Sequence, residues 1–189
     1  MDERLLAVAE KSEDEQLYFW AFGDLHYRAR LQWHALHSQR MAIMFQDLRA
    51  LWMNEGTPAF CVAPGDIVDT GALENYKLAK RDLAAQLGNI PFYTGIGNHE
   101  FHAENKEDSK HTAAEFSAFW KKPVRYSWTI GDVQCIMLDH PDTFTVDQDQ
   151  EQPLVILSEE TLSFLESTLV EYPEHRAIIF AHCPYVIRC

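Results

Sequence analysis

Three short apolar runs, each followed at once by polar residues, constrain the fold of this chain most. The runs cover residues 17–22, 59–63 and 90–96. Continuous apolar runs of this length are typical of strands that are covered on both faces. Between them, residues 29–52 and 73–87 carry apolar side chains at spacings of three and four, which predicts two amphipathic helices. This alternation predicts a parallel sheet with right-handed crossover connections.

The polar clusters come directly after the strands. They are Asp24-Leu25-His26, Gly65-Asp66-Ile67-Val68-Asp69 and Gly97-Asn98-His99-Glu100. In open α/β sheets ligands bind beyond the carboxyl ends of the strands, so we expect the three clusters to lie together at that edge. A later apolar run at residues 177–181 predicts a strand that delivers His182 to the same place.

The residue types in these clusters suit divalent cations. Asp24 and His26 are two residues apart, so on an extended segment both side chains can face one ion. Asp66 has two carboxylate oxygens and can bridge two cations about 3.5–4 Å apart, the spacing that supports in-line displacement at phosphorus. Asn98 offers a hard amide oxygen, and the imidazole of His99 can give a proton to a leaving oxygen. The sequence therefore predicts a two-metal site with an adjacent acid.

Each cluster also has a structural interpretation. The first alone suits a solvated turn after a strand, and the third suits a polar turn. Asp69 can orient a neighbouring group or cap the helix that begins near Leu73, and the sequence leaves both roles open. A lone histidine after an apolar run, such as His182, is more often structural. The other three clusters at the same edge favour a ligand role for it.

The second half of the chain predicts antiparallel pairing. Residues 126–130 and 133–138 flank Gly131-Asp132, a strong hairpin signal. Ser158 is a candidate N-cap for a last helix. The buried face of that helix is predicted to carry Leu162, Leu165 and Leu169. We therefore predict an α/β fold of two packed, mixed β-sheets flanked by helices.

Composition limits the function classes. The 189-residue chain is 47% hydrophobic, which suits one domain over residues 1–189, with residues 1–16 as a charged arm. A formal net charge of −13 argues against nucleic acid as a partner. The sequence contains no apolar stretch long enough for a transmembrane helix, and its four cysteines form no C-x-x-C pair. We expect a cytoplasmic protein without a membrane anchor.

The ordered motifs D-x-H, G-D-x-x-D, G-N-H-[DE] and a strand-end His resemble the calcineurin-like metallophosphoesterases, and the resemblance covers residues 17–185. It implies an αββα sandwich with two divalent ions, Mn, Fe or Zn, as cofactors. In that family pattern Asp24 and His26 would hold the first metal, Asp66 would bridge, and Asn98 and His182 would hold the second.

The resemblance also implies a reaction. A metal-bound hydroxide would attack a small-molecule phosphate mono- or diester, and His99 would act as general acid. Asp69 would orient His99 without touching the substrate. Asp139 is expected near the site without binding a metal. Specificity would lie in the polar loops at residues 101–111, expected to be mobile, and 143–152.

One departure from the family pattern is the closing G-H-x-H, which is absent from this chain. The resemblance then implies that the C-terminal strands are missing and that each metal lacks one ligand. We expect a fragment of a longer protein, or else a naturally shortened member. A second hypothesis is a non-catalytic scaffold of the same fold that binds a protein partner. A third hypothesis is a nuclease, but the net negative charge of the chain argues against it.

Overall fold

The computed structural model describes residues 16–105, 107–140 and 157–183, except for the side chains of residues 31–34. The predicted loop at 143–152 and nearly all of the predicted charged arm lie outside these ranges.

The first sheet contains three parallel strands in the order β1-β2-β3. In chain order the elements are β1 Phe19–Ala21, α1 Leu31–Glu55, β2 Phe60–Ala63, α2 Leu73–Leu87 and β3 Phe92–Thr94. Helix α1 ends at Gly56 and α2 ends at Gly88, both of which have positive φ angles, 95° and 59°. Glycine adopts such angles without steric cost, so each of these glycines can stop its helix. Helix α2 ends at the predicted residue 87, whereas α1 continues to Glu55, beyond the predicted end at residue 52.

The second sheet is mixed. After α3 Ala113–Trp120 come β4 Tyr126–Ile130, β5 Val133–Met137, α4 Glu159–Glu171 and β6 Arg176–Phe180. Strands β4 and β5 form the predicted hairpin, and β6 pairs parallel to β5.

The two sheets pack face to face. Their shared core includes Phe60 from β2 and Met137 from β5, and the rings of Tyr93 and Trp128 stack with centroids 3.9 Å apart. The first three helices cover the outer face of the first sheet, and α4 covers the outer face of the second. The αββα arrangement is confirmed. Only the second sheet is mixed, since it contains one antiparallel and one parallel pair of strands. The first sheet is parallel, because crossover connections join its three strands.

Helix α4 differs from the prediction in one residue. Ser158 caps it, accepting a hydrogen bond from the backbone N–H of Thr161 at 3.1 Å. Leu169, however, is 37% exposed, whereas Thr161 and Thr168 are buried. Placing Leu169 on the buried face is wrong because the packed face follows Thr161, Leu165 and Thr168, and Gln134 donates to the carbonyl of Thr168 at 2.8 Å.

None of the helices in the described ranges is long and apolar enough to span a bilayer.

Candidate metal centre

The backbone is left-handed at three of the predicted ligands. The φ angles are 42° at Asp24, 46° at His26 and 51° at Asp66. Non-glycine residues seldom adopt such angles, and those that do cluster at functional sites. The prediction of an extended segment at Asp24 and His26 is therefore wrong. Because both residues are left-handed, their side chains reach different neighbours.

Two glycines allow the second and third polar loops to approach closely. A Cβ atom on Gly65 would lie 2.7 Å from the Cα of Gly97 and 2.7 Å from Cγ of His182. A Cβ on Gly97 would collide with the carboxylate of Asp66. Neither glycine has a positive φ. Their contribution is the missing side chain, which lets backbone and ligand groups occupy the same small volume.

The carboxylate of Asp66 lies at the centre of the site and is only 4% exposed. Its Oδ1 accepts a hydrogen bond from the backbone N–H of His99 at 2.9 Å and lies 3.3 Å from Nε2 of His182. Its Oδ2 lies 3.8 Å from Nε2 of His26 and 4.0 Å from Nε2 of His99. One carboxylate therefore contacts three imidazoles.

A first group of ligand atoms surrounds His182. Asp24, Asp66 and His182 each offer one ligand atom, and these atoms lie within 4.8 Å of one another. Nδ1 of His182 is 3.9 Å from Oδ1 of Asp24, and its Nε2 is 3.0 Å from Oδ1 of Asn98. We call these four residues the His182 group. Asp24 is 63% exposed on its side chain, so the group is open to solvent on one side.

A second group lies on the other side of Asp66 and comprises His26, Asp69 and His99, with ligand atoms again within 4.8 Å. We call it the His26 group. Nδ1 of His99 donates to the backbone carbonyl of Asp69 at 2.8 Å, so that nitrogen is already engaged. Nδ1 of His26 is buried and has no hydrogen-bond partner among the described residues.

The electrostatics of the His182 group are coupled. Burial raises the pKa of Asp66, but the hydrogen bond from His182 and the backbone N–H of His99 outweigh it and hold that pKa below its usual range. Burial lowers the pKa of His182, but the hydrogen bond to Asp66 and the charges of Asp66 and Asp24 raise it overall. Asp66 and His182 therefore each favour the charged form of the other.

Asp69 contacts His99 and Arg28 mainly through different atoms. Its carbonyl accepts from His99, while its carboxylate pairs with Arg28 at 2.8 Å and lies 3.9 Å from Nδ1 of His99. Helix α2 has Ala72 at its N-cap and no side-chain cap. The helix-cap interpretation of Asp69 is thus excluded. The hydrogen bond between Asp69 and His99 is made by the backbone carbonyl of Asp69.

The loop after the third cluster, predicted to be mobile, is attached to the site. Glu104 accepts a hydrogen bond from Oγ1 of Thr70 at 2.7 Å and pairs with Arg30 at 2.8 Å. The backbone N–H of Gly71 donates to the carbonyl of His102 at 3.0 Å. His102 and Glu104 therefore have defined partners next to the second polar loop and on the segment after the first.

Asp139 belongs to the second sheet rather than to the ligand groups. Its carboxylate accepts from Oγ1 of Thr161 at 2.8 Å and from Arg125 at 3.2 Å, which ties the end of β5 to α4. The next residue, His140, is 2% exposed, and its ring lies 5.7 Å from that of His182.

Sequence reasoning assigned no role to Arg28, Glu100 or His140. Glu100 is the last residue of the third motif, so the sequence could have marked it as part of the site. Nothing in the sequence around Arg28 or His140 indicates that they lie near the site. Burial raises the pKa of Glu100 to about 7, the charge of Asp66 adds to that rise, and backbone N–H groups oppose it.

The donor set fits a divalent cation. Carboxylate and amide oxygens with imidazole nitrogens are the ligands that Mn, Fe and Zn accept. Nδ1 of His26, which is buried without a hydrogen-bond partner among the described residues, is a nitrogen of the kind that binds such a cation. The His182 group is better arranged to bind a cation, because no backbone carbonyl among the described residues accepts a hydrogen bond from its imidazole.

Comparison with known proteins agrees with this geometry. The calcineurin-like phosphoesterase family profile matches residues 17–185. A probable glycerophosphodiester phosphodiesterase GpdQ from Arcobacter nitrofigilis is 32% identical over 131 residues, which cover 68% of this chain and 43% of that protein. The chain thus spans less than half the length of this relative. With all four motifs, the matching profile and the two-sheet sandwich in agreement, the chain belongs to the calcineurin-like phosphoesterase family.

Proposed function

We propose that residues 1–189 form one catalytic domain of a dinuclear, metal-dependent phosphodiesterase that hydrolyses a small-molecule phosphodiester in the cytoplasm. The observation that carries the proposal is the convergence of Asp24, Asp66 and Asn98 on the ring of His182, at 3.9, 3.3 and 3.0 Å. The choice of a diester over a monoester rests on the printed name of the similar Arcobacter protein.

In this proposal the chain holds two divalent ions, Mn, Fe or Zn. The ligands are Asp24, His26, Asp66, Asn98 and His182. Bound ions of this kind activate water and neutralise charge on the phosphoryl oxygens. Asp66, which lies between the two ligand groups, would be available to both ions.

His99 supplies the proton for the leaving alkoxide. Its Nδ1 donates to the carbonyl of Asp69 at 2.8 Å, which orients the ring so that Nε2 lies 4.0 Å from Oδ2 of Asp66. A protonated Nε2 there faces the centre of the site and can donate to a departing oxygen. Asp69 acts by holding the ring through its carbonyl, and its carboxylate positions Arg28.

The test uses the full-length protein stripped of metal with a chelator. Mn²⁺, Fe²⁺ or Zn²⁺ is then restored, and hydrolysis of bis(p-nitrophenyl) phosphate and p-nitrophenyl phosphate is followed. We expect activity to return with the metal and to favour the diester. No hydrolysis of either ester with any of the three ions would contradict the proposal and favour the scaffold hypothesis.

A variant separates the acid from the ligands. His99→Ala should lower turnover by about 100-fold or more, the usual contribution of a positioned acid, while metal content stays near two ions per chain. His175→Ala is the matched control, because His175 lies beside Tyr172 at the end of α4, away from both ligand groups. Loss of metal together with activity in His99→Ala would assign His99 to metal binding instead.

A further inference from the structure

The side chain of Glu100 has no part in the proposed reaction, yet it is only 1% exposed. Carboxylates are seldom buried so deeply unless hydrogen-bond donors surround them. The donors that the described residues supply to Glu100 all belong to the backbone.

Four N–H groups converge on this carboxylate. Its Oε1 accepts from the N–H of Ile67 at 2.8 Å and of Val68 at 3.2 Å. Its Oε2 accepts from Asp66 at 2.9 Å and from Gly97 at 2.7 Å. A carboxylate has about four lone-pair positions, so all of them are in use. Glu100 is thus saturated as an acceptor and does not act as a metal ligand.

The donors come from two separate loops. Residues 66–68 follow β2, and Gly97 follows β3. Glu100 therefore connects the loop of Asp66 to the loop of Asn98. A second link runs the other way, from the N–H of His99 to Oδ1 of Asp66 at 2.9 Å.

One of the bound amides belongs to Asp66 itself, whose φ of 51° is strained. A strained conformation persists only when its surroundings hold it. Releasing that amide would let the Asp66 carboxylate move relative to His182, which is 3.3 Å away. Ligand groups must be held to within about 0.5 Å to bind a metal well.

We propose that Glu100 is a positioning residue that sets metal affinity by locking the Asp66 loop onto the Asn98 loop. The inference rests on the proposed function for its metal part, and the cross-link between the loops can be tested without metal.

Three variants test it. Glu100→Gln replaces one oxygen with an NH₂ group, so at least one backbone N–H must face another donor. Glu100→Asp keeps the charge but is one methylene shorter, so it reaches only one of the two loops well. Glu104→Gln is the matched control, because Glu104 is a partly buried carboxylate on the same loop that bonds to the side chains of Thr70 and Arg30.

The first measurement is amide hydrogen exchange by NMR on the metal-free, full-length protein. The amides of residues 66–68 and 97 should exchange slowly in the wild type and in Glu104→Gln. They should exchange rapidly in Glu100→Gln and at an intermediate rate in Glu100→Asp. Rapid exchange in the wild type, or unchanged protection in a folded Glu100 variant, would overturn the cross-link.

The second measurement is Mn²⁺ affinity by calorimetry. Folded Glu100→Gln should bind about 10- to 100-fold more weakly, as when groups that orient metal ligands are removed. Glu104→Gln should bind like the wild type. If Glu100→Gln does not fold, Glu100→Asp provides both readouts. Normal affinity despite lost protection would overturn the positioning role. A wild type that binds no Mn²⁺ would remove the metal part together with the proposed function, and the exchange result would still decide the cross-link.

Discussion

The two ligand groups on either side of Asp66 are built differently. In the His182 group the ring of His182 lies within 4 Å of two carboxylates and one amide oxygen, at 3.9, 3.3 and 3.0 Å. In the His26 group one imidazole nitrogen of His99 is bonded to the carbonyl of Asp69, and the carboxylate of Asp69 is paired with Arg28. The first group is organised for a cation, and the second mainly for orienting His99. Metal binding should therefore depend unequally on the two.

The largest effect is expected where both groups meet. Asp66→Asn removes the charge that both groups share, whereas loss of a residue that only orients a ligand typically costs about 10- to 100-fold in affinity. We expect Mn²⁺ affinity to fall by more than about 100-fold in both ligand groups. Calorimetry checks this, with Asp82→Asn as control, because the carboxylate of Asp82 pairs with Arg81 on α2 and belongs to neither ligand group. A variant that still binds one ion tightly would show that the groups are independent.

The next comparison sets His182→Ala against His26→Ala. We expect His182→Ala to weaken Mn²⁺ binding more, because its ring contacts three oxygen ligands while His26 contacts Asp66 and Asp69 at 3.8 Å each. Titration with Mn²⁺, followed by electron paramagnetic resonance, measures both variants. Equal losses would mean that the His26 group is as well prepared as the His182 group.

Close approach of the loops can be broken at Gly97. Gly97→Ala forces a Cβ against the Asp66 carboxylate, and overpacking of this kind costs about 1–3 kcal/mol of unfolding free energy. Gly23→Ala is the control, because a Cβ there has no atom within 4 Å. Urea denaturation of the metal-free proteins gives both values. Similar stability of the two variants would contradict the tight contact between the loops.

The pH dependence of the unfolding free energy measures the contribution of the contact between His182 and Asp66. The pKa of His182 is raised in the folded protein, so its contact with Asp66 is fully stabilising below the unfolded pKa and is lost as pH rises through the folded pKa. The unfolding free energy of the metal-free wild type should therefore decline across that interval. In His182→Ala this part of the decline should vanish, while the contribution of Glu100 remains. Identical pH profiles for the two proteins would refute the assignment.

The smallest effect is expected for the carboxylate of Asp69. Asp69→Asn keeps the carbonyl that holds His99 and loses an ion pair with Arg28 whose side chains are 18% and 25% exposed. Partly exposed pairs contribute about 1 kcal/mol or less to the unfolding free energy. Turnover should fall far less than in His99→Ala. A loss as large as that of His99→Ala would mean that the carboxylate, rather than the carbonyl, supports the ring.

Much of the fold could be read from local patterns. Helix α2 begins and ends at the predicted residues, and the hairpin turns at Gly131-Asp132 as expected. Apolar periodicity and turn residues act over a few positions, so one chain segment contains the whole signal. Strands β1 and β3 are shorter than the apolar runs at 17–22 and 90–96, because the runs also include residues such as Phe22 and Ile96 that are buried outside the strands.

The chemistry of the site was readable in its residue types but not in its connections. Carboxylate, amide and imidazole groups after successive parallel strands must gather at one sheet edge, which follows from chain order and sheet geometry alone. The split of Asp24 and His26 between two groups depends on left-handed backbone angles that no spacing predicts. The bonds of Glu100 join it to amides up to 34 residues away, and Arg28 meets Asp69 across two loops. Such contacts depend on where separate segments settle in three dimensions, and a linear pattern carries no record of that.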